Sequence, residues 1–343
     1  MQVRLLNYNS GQQHQHLSFQ SSDGVHFWVR SPVGNKASVL QKPWIEAYKV
    51  AMKEKRGGCH IDLSSQSNLT WIHTVQGCPH ESNYITGNEQ DNALSGGLKD
   101  DALDGGAGHD TIMGGQGNDI LIGSMGDDTL YGEEGNDTMI GGSGSDKFIP
   151  GPGADLVDGG PGRDTVLYQG DHVKGEGVYV NLLSGECRQA DAEGDVLKDV
   201  ENVIGTIYSD ILVSGYEPAL LKGSDGNDIL VSLVGGDYLI GGEGSDIYMM
   251  VNHHGSIIID NCASDNATDV VYLRSLTANS VKCSYRHDGI FLTFFGVDYA
   301  PVNIELKNWV NDSHECGHLM LVLREGETSV DKLLQEKRFL SDI

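Results

Sequence analysis

Apolar residues fall on a nine-residue beat through the middle of the chain: Ile85, Leu94, Leu103, Ile112, Leu121, Leu130, Met139, Phe148, Val157 and Val166. The beat resumes at Val203 and runs through Leu212, Leu221, Leu230, Leu239 and Tyr248. A period of nine fits neither an α-helix nor a simple alternating strand. Self-similarity at a fixed short period marks a solenoid. Seven residues after each of the first nine apolar positions stand Asn92, Asp101, Asp110, Asp119, Asp128, Asp137, Asp146, Asp155 and Asp164. Between them lie glycine-rich turns, among them Gly105–Asp110 (GGAGHD), Gly114–Asp119 (GGQGND), Gly141–Asp146 (GGSGSD) and Gly159–Asp164 (GGPGRD). Each unit divides into a six-residue turn and a three-residue strand such as Thr111-Ile112-Met113. Only the central strand residue points inward, because strand side chains alternate faces. Two units, 18 residues, complete one coil. The expected fold is all-β: a right-handed parallel β-roll of 18 residues per coil, closed by β-rich caps.

Alternation sorts the acidic positions into two columns. Asp110, Asp128, Asp146 and Asp164 share one with Asn92; Asp101, Asp119, Asp137 and Asp155 share the other. Stacked coils lie about 4.8 Å apart, and bare carboxylates at that spacing repel strongly. Lys and Arg are almost absent from the turns, so the neutralising charge must come from a bound cation. Calcium suits the position, since it takes several hard oxygen ligands, carboxylates and carbonyls included.

These residues resemble the RTX family, whose repeats form a calcium-loaded parallel β-roll. The stretch from Val200 to Gly205 resembles the C-terminal domain of serralysin-type proteases, and residues 255–326 resemble the segment that follows the repeats in haemolysin-type calcium-binding proteins. The resemblance implies that each ion is held by aspartates of two stacked turns together with turn carbonyls. The side chains so implied are Asp101, Asp110, Asp119, Asp128, Asp137, Asp146, Asp155, Asp164, Asp210, Asp228, Asp237 and Asp246. The carbonyls are those of Gly105, Gly114, Gly123, Gly132, Gly141, Gly159, Gly223 and Gly241. The expected load is about six to nine Ca2+. Fidelity varies: Lys99 replaces a third glycine, Pro150 a first glycine, and Ala219 an aspartate. Weak or missing ions are expected at Asn92 and Ala219, and the best sites between Asp101 and Asp164 and near Asp228 and Asp246.

Charge sharpens the picture. Residues 84–168 carry net −13 and residues 201–248 net −7, out of −26 for all 343 residues. Acidity concentrated in this way destabilises the compact state by self-repulsion, so the repeats are expected to be largely unfolded without calcium and to fold as they bind it. It also argues against nucleic acid, which needs a basic footprint. Six cysteines suit an oxidising compartment. Cys59–Cys78 and Cys262–Cys283 are plausible local pairs, each worth ~3 kcal/mol in the chain-entropy model; Cys187 and Cys316 are left over. Their number departs from bacterial RTX proteins, which are typically poor in cysteine. Sequons stand at Asn68, Asn136, Asn266 and Asn311. No apolar run is long enough to span a membrane. Met1 is followed by polar sequence without an apolar signal core, so a secreted role implies a piece of a larger chain.

The organisation expected is an N-terminal segment (1–56) with a strand around Val25–Val29 and a helix from Pro43 to Arg56, and a cap of the roll (57–83). The first array follows (84–168), then an interruption (169–202) read as two modified coils, the second array (203–249), and a β-rich terminal segment (250–343). In that last segment strands are expected at Ser256–Asp260, Val270–Leu273, Ile290–Phe295, Val302–Leu306 and Leu319–Leu323, with a capping box at Thr328–Asp331 opening a final helix. His314-Glu315-Cys316-Gly317-His318 matches H-E-x-x-H. That zinc chemistry needs both histidines on one helix, whereas Gly317 and the strand-like Leu319–Leu323 make a polar turn the better reading. His253-His254 reads as a loop pair. Glycine-rich turns flanked by more repeats are not phosphate loops, which need a strand and a helix at their sides.

The function read from these residues is non-enzymatic: an extracellular, secreted calcium-binding module, acting as a structural, adhesive or matrix element of a larger protein, with an extracellular protein or glycan as a further partner. The alternative is the calcium-dependent tail of a secreted hydrolase or toxin.

Overall fold

The computed structural model describes residues 16–20, 26–30, 59–64, 72–169, 175–251, 255–261, 267–273, 276, 281–286, 289–295, 301–307, 319–324 and 326–333. The chain divides into two compact units. The first comprises residues 1–166 with 194–200, the second residues 167–193 with 201–343. Each is built on parallel β-roll coils.

In the first unit, one stack of parallel strands runs Cys59–Asp62, Asn83–Thr86, Ala102–Ala107, Ile120–Met125, Thr138–Ser143, Leu156–Asp158 and Val196–Lys198. The other runs Thr74–Gln76, Ala93–Gly97, Thr111–Gln116, Thr129–Glu134 and Lys147–Ile149. The register advances by one coil: Leu103 pairs with Leu121, and Ile112 with Leu130. Every apolar residue of the first beat, Ile85 through Val166, is fully buried. Strands such as Thr111–Gln116 reach six residues rather than three, because ladder pairing continues into the turn, as at Gly97 with Gly115, while Lys147–Ile149 and Leu156–Asp158 keep three. Cys59 and Cys78 form a disulfide with a Cα–Cα distance of 6.2 Å.

In the second unit, one parallel stack runs Tyr179–Asn181, Ile211–Val213, Ile229–Ser232, Ile247–Met250, Asp269–Tyr272 and Leu319–Leu323. The antiparallel strand Gly326–Ser329 closes it. The second stack runs Asn202–Ile204, Leu220–Asp225, Tyr238–Glu243, Gly255–Asp260 and Val302–Lys307. It ends in antiparallel strands Gly289–Phe294 and Val281–Arg286. A solenoid end exposes unpaired strand groups, and these antiparallel hairpins occupy that edge.

Three details depart from the sequence reading. The interruption does not form two parallel coils: Tyr179–Asn181 reverses into the antiparallel strand Glu186–Arg188. Asn181 drives the reversal, its Oδ1 accepting the N–H groups of Leu183 and Ser184, an Asx turn. The strand Val281–Arg286 was not foreseen. The final helical turn, residues 330–333, is capped by Ser329, whose Oγ accepts the Lys332 N–H, one residue later than Thr328. Near the start of the chain, His26–Arg30 pairs with His16–Gln20 as an antiparallel hairpin. The expected helix at 43–56, the 314–318 motif, His253-His254, Cys262, Cys316 and the sequons at Asn68, Asn266 and Asn311 lie outside the described residues.

Candidate metal centres

Two rows of aspartates follow the edges of the first unit. Each carboxylate uses Oδ1 to accept the backbone N–H of the column residue one coil before it. Asp119 accepts from Asp101, Asp128 from Asp110, Asp137 from Asp119 and Asp146 from Asp128, at 2.7–2.8 Å. Asp155 accepts from Asp137 and Asp164 from Asp146 in the same way. In the second unit the ladder runs Val178 to Asp210, Asp210 to Asp228, Asp228 to Asp246 and Asp246 to Asp269. The ladder explains why aspartate is needed: its Oδ1 reaches the N–H one coil back at 2.7–2.8 Å, a span that the longer glutamate would overshoot.

The second oxygen is the informative one. Oδ2 of Asp101, Asp110, Asp119, Asp128, Asp137, Asp146, Asp155 and Asp228 is buried with no hydrogen-bond donor, in residues at most 3% exposed. A buried carboxylate oxygen without a partner is costly. Burial, ahead of every other cause, drives these carboxyls far above the ordinary aspartate value of 3.8: to about 6 for Asp101, Asp137 and Asp146, about 7 for Asp128, and about 8 for Asp110, Asp119, Asp155 and Asp228. The backbone hydrogen bonds oppose the shift. For Asp110 and Asp119, neighbouring column carboxylates reinforce it.

What faces most of the orphaned oxygens is backbone. The first glycine of the turn stands beside its own aspartate's Oδ2 and the carbonyl of the next coil. A Cβ built on Gly96 meets Asp101 Oδ2 and the Gly114 carbonyl; on Gly123, Asp128 Oδ2 and the Gly141 carbonyl; on Gly141, Asp146 Oδ2 and the Gly159 carbonyl. The same geometry joins Gly114 to Asp119 and the Gly132 carbonyl, Gly205 to Asp210 and the Gly223 carbonyl, and Gly223 to Asp228 and the Gly241 carbonyl. The Gly105 carbonyl faces Gly87 and Asn92. Gly105 and Gly241 stand against Asp110 and Asp246. The third glycine is required for a different reason: Gly117 has φ +128, and a Cβ there would sit 2.6 Å from the Lys99 backbone.

Some donors escaped the sequence reading. A carbonyl carries no side-chain identity, so Pro150 supplies it at Gly132–Asp137 and Asp199 at Gly159–Asp164. The backbone tolerates Pro150 because a first-position residue needs no positive φ, but its Cβ stands where the glycines leave the cradle open, so the Asp155 cradle is narrower than its neighbours. Asp195 and Asp269 continue the ladders beyond Asp155 and Asp246. Their signal is the Asp-x-apolar tail of the repeat, Asp195-Val196-Leu197 and Asp269-Val270-Val271, displaced from the nine-residue beat by insertions.

Other positions are satisfied by the protein itself. Ser232 stands where a first glycine belongs and donates its hydroxyl to Asp237 Oδ2. Asp210 Oδ2 accepts the Thr206 N–H. Ala219 offers only its N–H, to Asp237. Asn92 keeps the ladder bond to Asp110 but holds a neutral amide.

The donor chemistry fits calcium. Every group facing the cradle is an oxygen, half of them neutral carbonyls, which is the set a hard divalent cation takes. Among the described residues no three His, Cys, Asp or Glu side chains converge as a zinc-type cluster would.

The RTX calcium-binding nonapeptide repeat matches four times, over residues 86–121, 113–148, 134–166 and 220–249. The chain carries RTX repeats. The matched residues are the coils whose aspartates line the two columns. Among curated proteins none matches. Among solved structures the chain is similar to the extracellular lipase LipA from Serratia marcescens, at 18% identity and a TM-score of 0.22, covering 59% of this chain and 39% of that one. The chain thus spans well under half of the lipase's length. Among the described residues no helix is long and apolar enough to cross a membrane.

Proposed function

We propose that the RTX columns hold about six to nine calcium ions, and that the chain is a non-catalytic, extracellular β-roll module that folds as it binds them. Its work is mechanical: a structural, adhesive or matrix element of a larger secreted protein. The observation that carries the reading is the file of buried, donor-less Oδ2 atoms, with a carbonyl of the next coil beside those of Asp101, Asp119, Asp128, Asp137, Asp146 and Asp228. The residues that would hold the ions are Asp101, Asp110, Asp119, Asp128, Asp137, Asp146, Asp155, Asp164, Asp228 and Asp246. The facing carbonyls of Gly114, Gly132, Gly141, Gly159 and Gly241, with those of Pro150 and Asp199, complete the set, while those of Gly105 and Gly223 face the Asn92 and Asp210 cradles. Calcium would supply the positive charge that these buried oxygens lack. Asp210 and Asp237 are assigned a structural role instead, because protein donors already reach their Oδ2. A disulfide at the start of the roll supports an oxidising, extracellular compartment.

Two substitutions test the ligand set from opposite sides. Asp119→Asn removes the charge, while Gly114→Ala leaves the charge and fills the cradle, its Cβ lying 2.9 Å from the Gly132 carbonyl and closer still to Asp119 Oδ2. Each is expected to lower the calcium stoichiometry by about one ion in calorimetry, and to raise the calcium needed for folding. An unchanged stoichiometry in both variants would remove this turn from the site.

A further inference from the structure

The first rung of each column in the first unit differs from those that follow. Asn83 and Asn92 stand in the ladder positions, donating their N–H groups to Asp101 and Asp110, yet neither has a carboxylate to neutralise. Asn83 is fully buried and Asn92 nearly so. The Asn83 amide is completely used: Oδ1 accepts the Cys78 N–H at 2.6 Å, and Nδ2 donates to the Cys78 carbonyl, the Glu81 carbonyl and Asp101 Oδ1 at 2.9–3.0 Å. Asn92 Oδ1 accepts the Asn88 N–H at 2.8 Å, and its Nδ2 donates to the Ile72 carbonyl at 3.3 Å and to Asn88 Oδ1 at 3.4 Å. Asn88 Nδ2 reaches the same Ile72 carbonyl at 3.1 Å. At Gly87 the cradle itself persists, bounded by Asn92 Oδ1 and the Gly105 carbonyl. Only the charge is missing.

The Asn83 NH2 draws converging oxygens together, while the Asn92 NH2 donates away from the Gly87 cradle to Ile72 and Asn88; a neutral rung buries no charge, so neither position needs a metal. The disulfide ends at Cys78, the residue whose N–H and carbonyl Asn83 holds. Ile72, Val75, Ile85 and Leu94 bury the interior of the same coils. The strand Ala93–Gly97 then offers its free side to Thr111–Gln116, the first strand after Asp110.

We propose that residues 72–97, with the Cys59–Cys78 disulfide, form a calcium-independent seed in which the neutral Asn83 and Asn92 amides remove the need for a cation, and on whose edge the calcium-dependent coils assemble. The proposal rests on calcium filling those later coils. In excess chelator the seed stays folded while the coils from Asp101 onward open. Converting Asn92 to aspartate turns its neutral rung into a calcium-dependent one, because the oxygen that replaces Nδ2 faces the Ile72 carbonyl and Asn88 Oδ1, both acceptors.

Hydrogen exchange followed by mass spectrometry on the full, disulfide-intact chain tests this, in millimolar calcium and in excess chelator at neutral pH. The expected result is that amides of residues 83–95 keep their protection in chelator, while those of 111–166 lose theirs by at least a hundredfold. Asn92→Asp is expected to lose the chelator-resistant protection of 83–95 and regain it in calcium. Loss of protection across 83–166 alike in the unmodified chain, or retention across all of it, overturns the proposal. So does an Asn92→Asp chain that stays protected in chelator. A calorimetric stoichiometry of zero would instead remove calcium from the later coils and sink the proposed function, whatever the exchange pattern.

Discussion

Excess chelator at neutral pH is expected to abolish most of the β-sheet circular dichroism of this chain, and added calcium to restore it. The effect should be large because the metal-free coils combine two penalties. Residues 84–168 carry net −13, and the burial of Asp101, Asp110, Asp119, Asp128, Asp137, Asp146 and Asp155 leaves an Oδ2 of each without a donor. A buried, uncompensated carboxylate costs several kcal/mol, while a small domain's whole stability is about 5–15 kcal/mol. Several such groups in one unit exceed that margin. Each ion bound only by the folded state returns stability in proportion to the logarithm of its concentration over its dissociation constant, so the transition should be steep in calcium. A spectrum indifferent to chelator would show that the columns are neutralised by something other than a removable cation.

Acid is expected to substitute in part for calcium. The buried column carboxyls titrate at about 6 to about 8 in the folded chain, against 3.8 for an ordinary aspartate. A raised folded value means that the folded state binds more protons than the unfolded state between those limits. The stabilisation is therefore fully present below about pH 4 and is lost as pH rises through 6 to 8. In chelator, thermal melting should move to higher temperature as pH falls from 8 towards 5, and β-sheet signal should reappear. With calcium present the dependence should reverse, since the ion binds the deprotonated carboxylates and protons compete with it. Melting temperatures in chelator that are flat or that fall on acidification would show that the carboxyls are not buried as described.

Much of this architecture could be read directly from residue order. Ile112, Leu121 and Leu130 had to face inward because a three-residue strand between fixed turns has one inward position, and all three are fully buried. The two Asp columns follow from the same count. What could not be read depends on atoms or lengths that the beat does not encode. Pro150 and Asp199 act through backbone carbonyls, for which residue type is nearly silent. The stretch between Leu167 and Asn202 keeps almost the phase of the repeat, yet an Asx turn at Asn181 sends it back as a hairpin. Asp195 and Asp269 rejoin the ladders after insertions that are not multiples of nine. At Asp237 a single serine in place of glycine supplies the hydrogen bond to the carboxylate, so an aspartate in the right place is not by itself a ligand.

The orphaned oxygens thus separate positions that share one motif. An Oδ2 that meets no protein donor, as at Asp119 and Asp128, is assigned to calcium; the Oδ2 atoms reached by Thr206 or Ser232, and the neutral rungs at Asn83 and Asn92, hold without it. The most direct test is the calcium stoichiometry of the intact chain at neutral pH, measured by titration calorimetry. About six to nine ions per chain are expected; a count of zero or one would contradict the account.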